Sequence, residues 1–205
     1  MGPVRHPRTP AARTASPWFG HRPALALGAL IVFGATGASA QTPTPPWQPS
    51  AAFIQAGAAS HTTQLTVGAA WDAGESWSFG PGRLGVYVEA SASAWSYPRA
   101  DGGGRTDLLE IGLTPVLRYR LAHGESPWFI EAGIGATLTS RLYRTPSREF
   151  STRFNFGDHL GVGLDFGPHR EHEVALRFEH FSNAGISEPN PGENFVQLRY
   201  TLRFR

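Results

Sequence analysis

The sequence predicts an all-β protein, an antiparallel barrel of eight strands. First, apolar and polar residues alternate in eight separate segments, the pattern of strands that bury only one face. Second, turn-forming residues (Gly, Pro, Asp and Ser) separate these segments, as in 98–104 and 144–148. Third, beyond the N-terminal region no apolar run is long enough for a membrane helix, which needs about 20 residues.

Residues 1–40 are predicted to be a secretory signal peptide. Residues 1–23 contain Arg and His but no acid, residues 24–33 form a short apolar core, and Ala38-Ser-Ala40 is a cleavage motif. The apolar core is shorter than the roughly 20 residues of a membrane anchor, which favours cleavage. Residues 41–49 are rich in Pro and Thr and are interpreted as a lead-in, so the barrel is expected over 50–205.

The charge distribution excludes one class of function. The formal net charge of the chain is +2, but the first forty residues hold four Arg and no acid. The remainder has 14 basic and 16 acidic residues, a net charge of −2. A nucleic-acid-binding body would need a positive surplus, so no nucleic-acid partner is expected. The chain has no Cys, which suits export through an oxidising compartment.

Each predicted strand is assigned from its alternation. The eight segments are 51–60, 63–72, 82–95, 108–120, 128–139, 153–166, 172–182 and 196–204. The first, second, sixth and seventh alternate more weakly than the others. The last alternates most clearly, with one face made of Val196, Leu198, Tyr200, Leu202 and Phe204 and the other of Gln197, Arg199, Thr201 and Arg203.

Two architectures fit this alternation: a soluble sandwich or lipocalin-like barrel, and an outer-membrane barrel with its apolar face toward lipid. The strands reach about ten residues, the length that a tilted membrane-spanning strand requires. The polar face also carries charges of both signs, which can pair inside a narrow eight-stranded barrel. These are Glu89, Glu110, Glu131, Glu179, Arg118, Arg153, Arg177 and Arg199. The sequence therefore favours an integral outer-membrane protein in contact with outer-membrane lipid.

The seventh strand departs from the pattern at its end. Parity places His180 and Ser182 on the face that should be apolar, about 6.5–7 Å apart along the strand. This arrangement suits a His base that takes a proton from a Ser nucleophile. The alternative is a polar pair at the water interface. A Gly-containing turn follows Ser182 and offers backbone N–H groups for an oxyanion, although it is equally explained as hairpin turn chemistry.

The residues around this pair resemble the lipid A 3-O-deacylase (PagL) family. The resemblance rests on His180-Phe-Ser-Asn-Ala-Gly185 and Pro189-Asn-Pro-Gly192, with support from 128–135 and from Asn155-Phe156 followed by Asp158. It covers roughly residues 50–205. It implies an eight-stranded outer-membrane barrel that hydrolyses the ester at the 3 position of lipid A and releases a 3-hydroxy fatty acid. Its implied site is a Ser-His-Glu triad on the outer wall of the barrel.

The resemblance implies a role for each matching residue. Ser182 is the implied nucleophile and His180 the base, with the backbone N–H groups of Ala184 and Gly185 as oxyanion donors. Asn183, Asn190 and Phe156 match supporting positions. An ungapped match places Asn194 at the triad glutamate, whereas Glu193 is one residue early. Because a carboxylate serves a Ser-His pair better than an amide, Glu193 is the expected third member, with Asn194 as the alternative.

The sequence thus predicts an esterase whose substrate partner is lipid A. No cofactor or metal is expected, because His159, His169 and His172 lack ligand spacing and are interpreted as surface or loop residues. A homodimer is compatible with the sequence. The alternative function is a non-catalytic barrel that serves adhesion or envelope structure.

Overall fold

The computed structural model describes residues 47–204 together with Gly2 and Pro45. The remainder of the predicted signal peptide and most of the lead-in lie outside the described residues. Eight antiparallel strands form a closed barrel in sequence order, and the first strand pairs with the last. The prediction of an eight-stranded antiparallel barrel is therefore confirmed. Within residues 47–204, no helix is both long enough and apolar enough to cross a membrane.

The strands have the following bounds. They are β1 Ala51–Ala58, β2 Thr63–Phe79, β3 Gly82–Pro98, β4 Arg105–Leu121, β5 Trp128–Thr139, β6 Phe154–Phe166, β7 His172–Ser182 and β8 Glu193–Arg203. A single 3-10 turn, Ala122–Gly124, follows β4. The second strand is longer than the 63–72 predicted, because its pairing with β3 resumes at Ser76, after a register shift, and continues to Phe79.

The barrel is inverted relative to a soluble protein, with apolar side chains on its outside. Leu109, Ile130, Leu160 and Leu198 are all exposed on the wall. Their alternate neighbours Glu110, Glu131, His159 and Arg199 are buried inside. This arrangement matches an outer face solvated by lipid and an interior closed by polar side chains.

Ion pairs fill the interior. Arg177 donates to Glu131 at 2.7 Å and to Glu89 at 3.1 Å, and Arg199 donates to the same Glu89 at 2.5 Å. Arg118 bridges Glu131 and Glu173, each at 2.8 Å. These buried charges are mutually neutralised, as burial in a low-dielectric interior requires.

Two residues lie on the other side of the barrel wall from the side that the sequence predicts. Arg153 precedes β6 and is exposed, where its Nε donates to the backbone of Thr139. His159, predicted to lie on the surface or in a loop, is instead buried inside the barrel on β6. Its position follows from the strand register, because it alternates with the outward residues Asp158 and Leu160.

An aromatic cluster closes the end of the barrel opposite the start of β1 and the end of β8. Trp95 packs edge-on against Phe181 and Phe195, with ring centroids 4.8 and 4.7 Å away. Tyr143 and Phe150, from the loop between β5 and β6, complete the cluster from above. Phe181 and Phe195 are sequence neighbours of His180 and Asn194. Their packing inside the barrel therefore fixes the end of β7 and the start of β8.

Candidate active site

The candidate site lies at the end of β7 and the start of β8. His180 and Ser182 are half-buried, and both alternate with the buried Phe181. They therefore project from the outer wall, as the alternation predicts. Phe156 on β6 lies directly opposite Ser182 in the strand register. Residues 183–192 form the connection to β8 and lie beside the pair.

The imidazole of His180 is hydrogen-bonded to Asn194. Nδ1 of His180 and Oδ1 of Asn194 are 2.6 Å apart, across a directly opposed pair of residues on β7 and β8. An amide oxygen only accepts hydrogen bonds, so Nδ1 carries the proton. The other ring nitrogen, Nε2, is then unprotonated and available as a base in the neutral ring.

The structure does not bring Glu193 to His180. Its side chain points into the barrel, is buried, and accepts a hydrogen bond of 2.8 Å from the hydroxyl of Tyr143. Burial raises the pKa of the Tyr143 phenol, and the bond to Glu193 raises it further, so the phenol stays protonated and donates. The turn before β8 does not shift the register, because Glu193 pairs with the inward Phe181. The expected contact between Glu193 and His180 is thus replaced by that of Asn194.

The loop after Ser182 is held by Asn183. This buried side chain donates to Ser151 at 2.9 Å and to the backbone oxygen of Ser187 at 2.8 Å. Its oxygen accepts from the N–H of Gly185 at 2.9 Å, and its own N–H donates to Asn190 at 3.0 Å. Asn183 and Asn190 therefore shape the loop.

This loop geometry distinguishes the two candidate oxyanion donors, the backbone N–H groups of Ala184 and Gly185. The N–H of Gly185 already donates to Asn183, so it points into the loop. Ala184 is exposed and adopts a left-handed conformation with a φ of 54°. Ala184 lies two residues after the end of β7, where its left-handed backbone helps to turn the chain, so its N–H remains the candidate donor.

Sequence reasoning missed two residues that enclose the site. Gly192, with a φ of 64°, packs so closely that an added Cβ would lie 2.5 Å from Cε1 of His180. Arg148, from the loop between β5 and β6, donates to the backbone oxygen of Gly192 at 2.7 Å and holds it there. The Pro-Asn-Pro-Gly motif signalled a turn, but nothing in the sequence signalled the contact with the imidazole.

Comparisons with known proteins identify relatives of this chain. The family model of the lipid A 3-O-deacylase (PagL) matches residues 61–203. A lipid A deacylase PagL of Bordetella bronchiseptica is 41% identical over 123 residues, which are 60% of this chain and 65% of the relative. The match thus spans slightly less than two thirds of that relative. A lipid A deacylase PagL of Pseudomonas aeruginosa is 34% identical over 154 residues, 75% of this chain and 84% of the relative.

A solved structure is also similar. The crystal structure of the outer membrane enzyme PagL aligns with a TM-score of 0.64 and 30% identity, covering 75% of this chain and 99% of that one. The family match extends over most of the barrel and includes every candidate site residue named above. The chain therefore belongs to the lipid A 3-O-deacylase (PagL) family of outer-membrane β-barrel enzymes.

Proposed function

We propose that this protein is an outer-membrane esterase that removes the 3-O-linked 3-hydroxyacyl chain of lipid A. The observation that carries the proposal is the pair His180 and Ser182 on an apolar outer wall, with His180 hydrogen-bonded to Asn194 at 2.6 Å. An acylated lipid lying against this wall would present its ester at the level of the pair. Family membership supports the substrate class.

In the proposed reaction, Ser182 is the nucleophile and His180 the general base. Nε2 of His180 takes the proton from Oγ of Ser182 as Oγ attacks the ester carbonyl carbon. The backbone N–H of Ala184 donates to the oxyanion of the tetrahedral intermediate. Collapse of this intermediate transfers the proton from Nε2 to the sugar oxygen and leaves an acyl-Ser182, which water hydrolyses to the free 3-hydroxy acid.

Asn194 is proposed as the group that orients the imidazole. Its Oδ1 accepts from Nδ1, which fixes both the ring position and the tautomer that leaves Nε2 free. An amide orients the ring but carries no charge, so it stabilises the imidazolium less than a carboxylate would. Glu193 instead supports the barrel interior through Tyr143.

Mass spectrometry of lipid A from cells that produce the full chain tests the function. Loss of one 3-hydroxyacyl group, assigned to the 3 position by fragmentation, is expected for the unmodified chain. Ser182→Ala and His180→Ala should each abolish this loss while the barrel stays folded. Ser147→Ala, a change at an exposed serine on the neighbouring loop, is the matched control and should retain activity.

Two outcomes would contradict the proposal. Full activity of Ser182→Ala would exclude the nucleophile, and unmodified lipid A with the folded natural chain would favour a non-catalytic barrel. A comparison of two further variants tests the third member. We expect Asn194→Ala to lower kcat by about 10- to 100-fold, whereas Glu193→Gln should mainly lower barrel stability.

A further inference from the structure

Asp158 is an acidic residue on the outward face of β6. It alternates with the buried Gly157 and His159 and lies between Phe156 and Leu160 on the wall. An ionised carboxylate on a lipid-facing surface is energetically costly, and such residues generally serve a site in which they have a partner. The mechanism described above gives Asp158 no role.

The strand register places Asp158 directly beside His180. Asp158 on β6 opposes His180 on β7, and Asn194 on β8 opposes His180 from the other side. Directly opposed residues on one face of a sheet have Cβ atoms about 4.5–5.5 Å apart. The imidazole therefore lies between an amide on one strand and a carboxylate on the other.

The carboxylate of Asp158 is not satisfied by another group. Its Oδ1 is inaccessible to solvent and has no hydrogen-bond partner among the described residues. Asp158 and His180 line one shallow groove of about 600 Å³ on the outer wall, together with the apolar Leu117, Ile134 and Phe178. Charges interact more strongly in such a weakly polar environment than in water.

Among the described residues, the charged group near His180 besides Asp158 is Arg148 of the loop between β5 and β6, which donates to the backbone oxygen of Gly192 and lies 3.7 Å from the carboxylate of Glu193, its counter-charge. The strand β8 contributes the neutral Asn194, while Glu193 and Glu179 point into the barrel. The 183–192 loop contributes Gly192, and its one acidic residue, Glu188, accepts a hydrogen bond from the N–H of Asn190. Asp158 is thus the acidic neighbour of the imidazole on the outer wall.

We propose that Asp158 supplies the negative charge that stabilises the His180 imidazolium, a charge that Asn194 does not carry. The inference rests on the proposed function, because the imidazolium forms when the Ser182 proton moves to Nε2. In this proposal Asp158 exchanges no proton with His180. It acts through His180 and is therefore a positioning residue. In this proposal Asn194 on β8 orients the imidazole, and Asp158 on β6 supplies the charge.

Removal of the charge tests this role. In the full-length, detergent-refolded protein, Asp158→Asn should lower kcat about 10- to 100-fold, the effect expected when an opposite charge on the directly opposed residue is lost. KM should change by less than about twofold, and the acid limb of the pH profile of kcat/KM should move to lower pH. Asp158→Glu should keep most of the activity. Asp107→Asn, a change at an exposed acid on β4, is the matched control.

A charge relocation makes the test sharper. Asn194→Asp in the Asp158→Asn background should restore activity at least tenfold, because it returns a carboxylate to the opposite side of the ring. In the natural background, Asn194→Asp should raise kcat by less than about threefold, because a charge is already present. A large gain in the natural background would overturn the proposal, and this variant remains informative even if Asp158→Asn does not fold.

A measurement without substrate separates this inference from the proposed function. The measurement is NMR of ¹⁵N-labelled histidine in detergent micelles, with the His180 signal assigned by comparison with His180→Gln. The imidazole of His180 should titrate at lower pH in Asp158→Asn than in the natural chain. A shifted titration in a protein without esterase activity would refute the proposed function and support the electrostatic role. An unchanged titration, or an unchanged kcat, would refute the role of Asp158.

Discussion

The close packing of Gly192 against His180 predicts a specific loss of activity in Gly192→Ala. An added Cβ would lie 2.5 Å from Cε1, 3.2 Å from Nε2 of His180 and 3.3 Å from the backbone oxygen of Phe181. Carbon atoms in ordinary contact are about 3.5–4.0 Å apart, so the ring would have to move by about 1 Å. Such a movement would break the 2.6 Å bond to Asn194.

The expected magnitude follows from this displacement. A misplacement of about 1 Å at a reacting group costs roughly 100-fold in rate, so kcat should fall by about that factor. The backbone also contributes, since Ala in the left-handed conformation at a φ of 64° costs about 1–2 kcal/mol. The assay is the initial rate of 3-hydroxy fatty acid release from lipid A in mixed micelles, with thermal unfolding measured on the same samples.

Gly80→Ala separates strain from contact. Gly80 lies in the turn between β2 and β3, has a φ of 56°, and has no heavy atom within 4 Å of an added Cβ. The Gly80→Ala variant should lose about as much unfolding free energy through backbone strain as Gly192→Ala, but its kcat should equal that of the natural chain. A Gly192→Ala enzyme with a rate within threefold of the natural one would refute the reasoning, as would an equal loss of rate in Gly80→Ala.

Two further predictions concern the scaffold. Arg177→Met removes one of the two Arg partners of both Glu89 and Glu131 inside the barrel, so the free energy of unfolding in urea should fall by about 3–5 kcal/mol. Arg83→Met, at an exposed position, should change it by less than about 1 kcal/mol, and equal losses would contradict the interior network. Asn183→Ala removes three side-chain hydrogen bonds that shape the 183–192 loop, so limited proteolysis should cleave this loop faster and kcat should fall about tenfold. Unchanged cleavage would show that the loop holds its conformation without Asn183.

Much of the fold was predictable because the barrel wall obeys a period of two. The alternation from Val196 to Phe204 assigns every side chain of the last strand to the correct face, and the same rule places His180 and Ser182 outside. Strand ends were less predictable, because β2 continues its pairing with β3 beyond a register shift that follows Asp72. Hydrogen bonding of the backbone, rather than side-chain hydrophobicity, extends the strand there.

The third site residue shows where chemical preference and geometry diverge. Glu193 was favoured because a carboxylate suits a Ser-His pair, but parity alone already placed Asn194 on the same face as Val196. The structure follows parity, because Phe195 and Glu193 are both bound to the interior cluster around Tyr143. The cross-strand position of Asp158 was not accessible from the sequence, since it depends on the register between β6 and β7.

The filled interior has a consequence for how the enzyme meets its substrate. Ion pairs of Arg118, Arg177 and Arg199 fill the barrel interior, and His180 and Ser182 face the outer wall, so under the proposed function lipid A reaches the pair along the membrane plane. Encounter is then a two-dimensional search, and its rate depends on the surface density of substrate in the leaflet rather than on bulk concentration. At constant total substrate, dilution with inert lipid should slow turnover, whereas dilution with buffer should not.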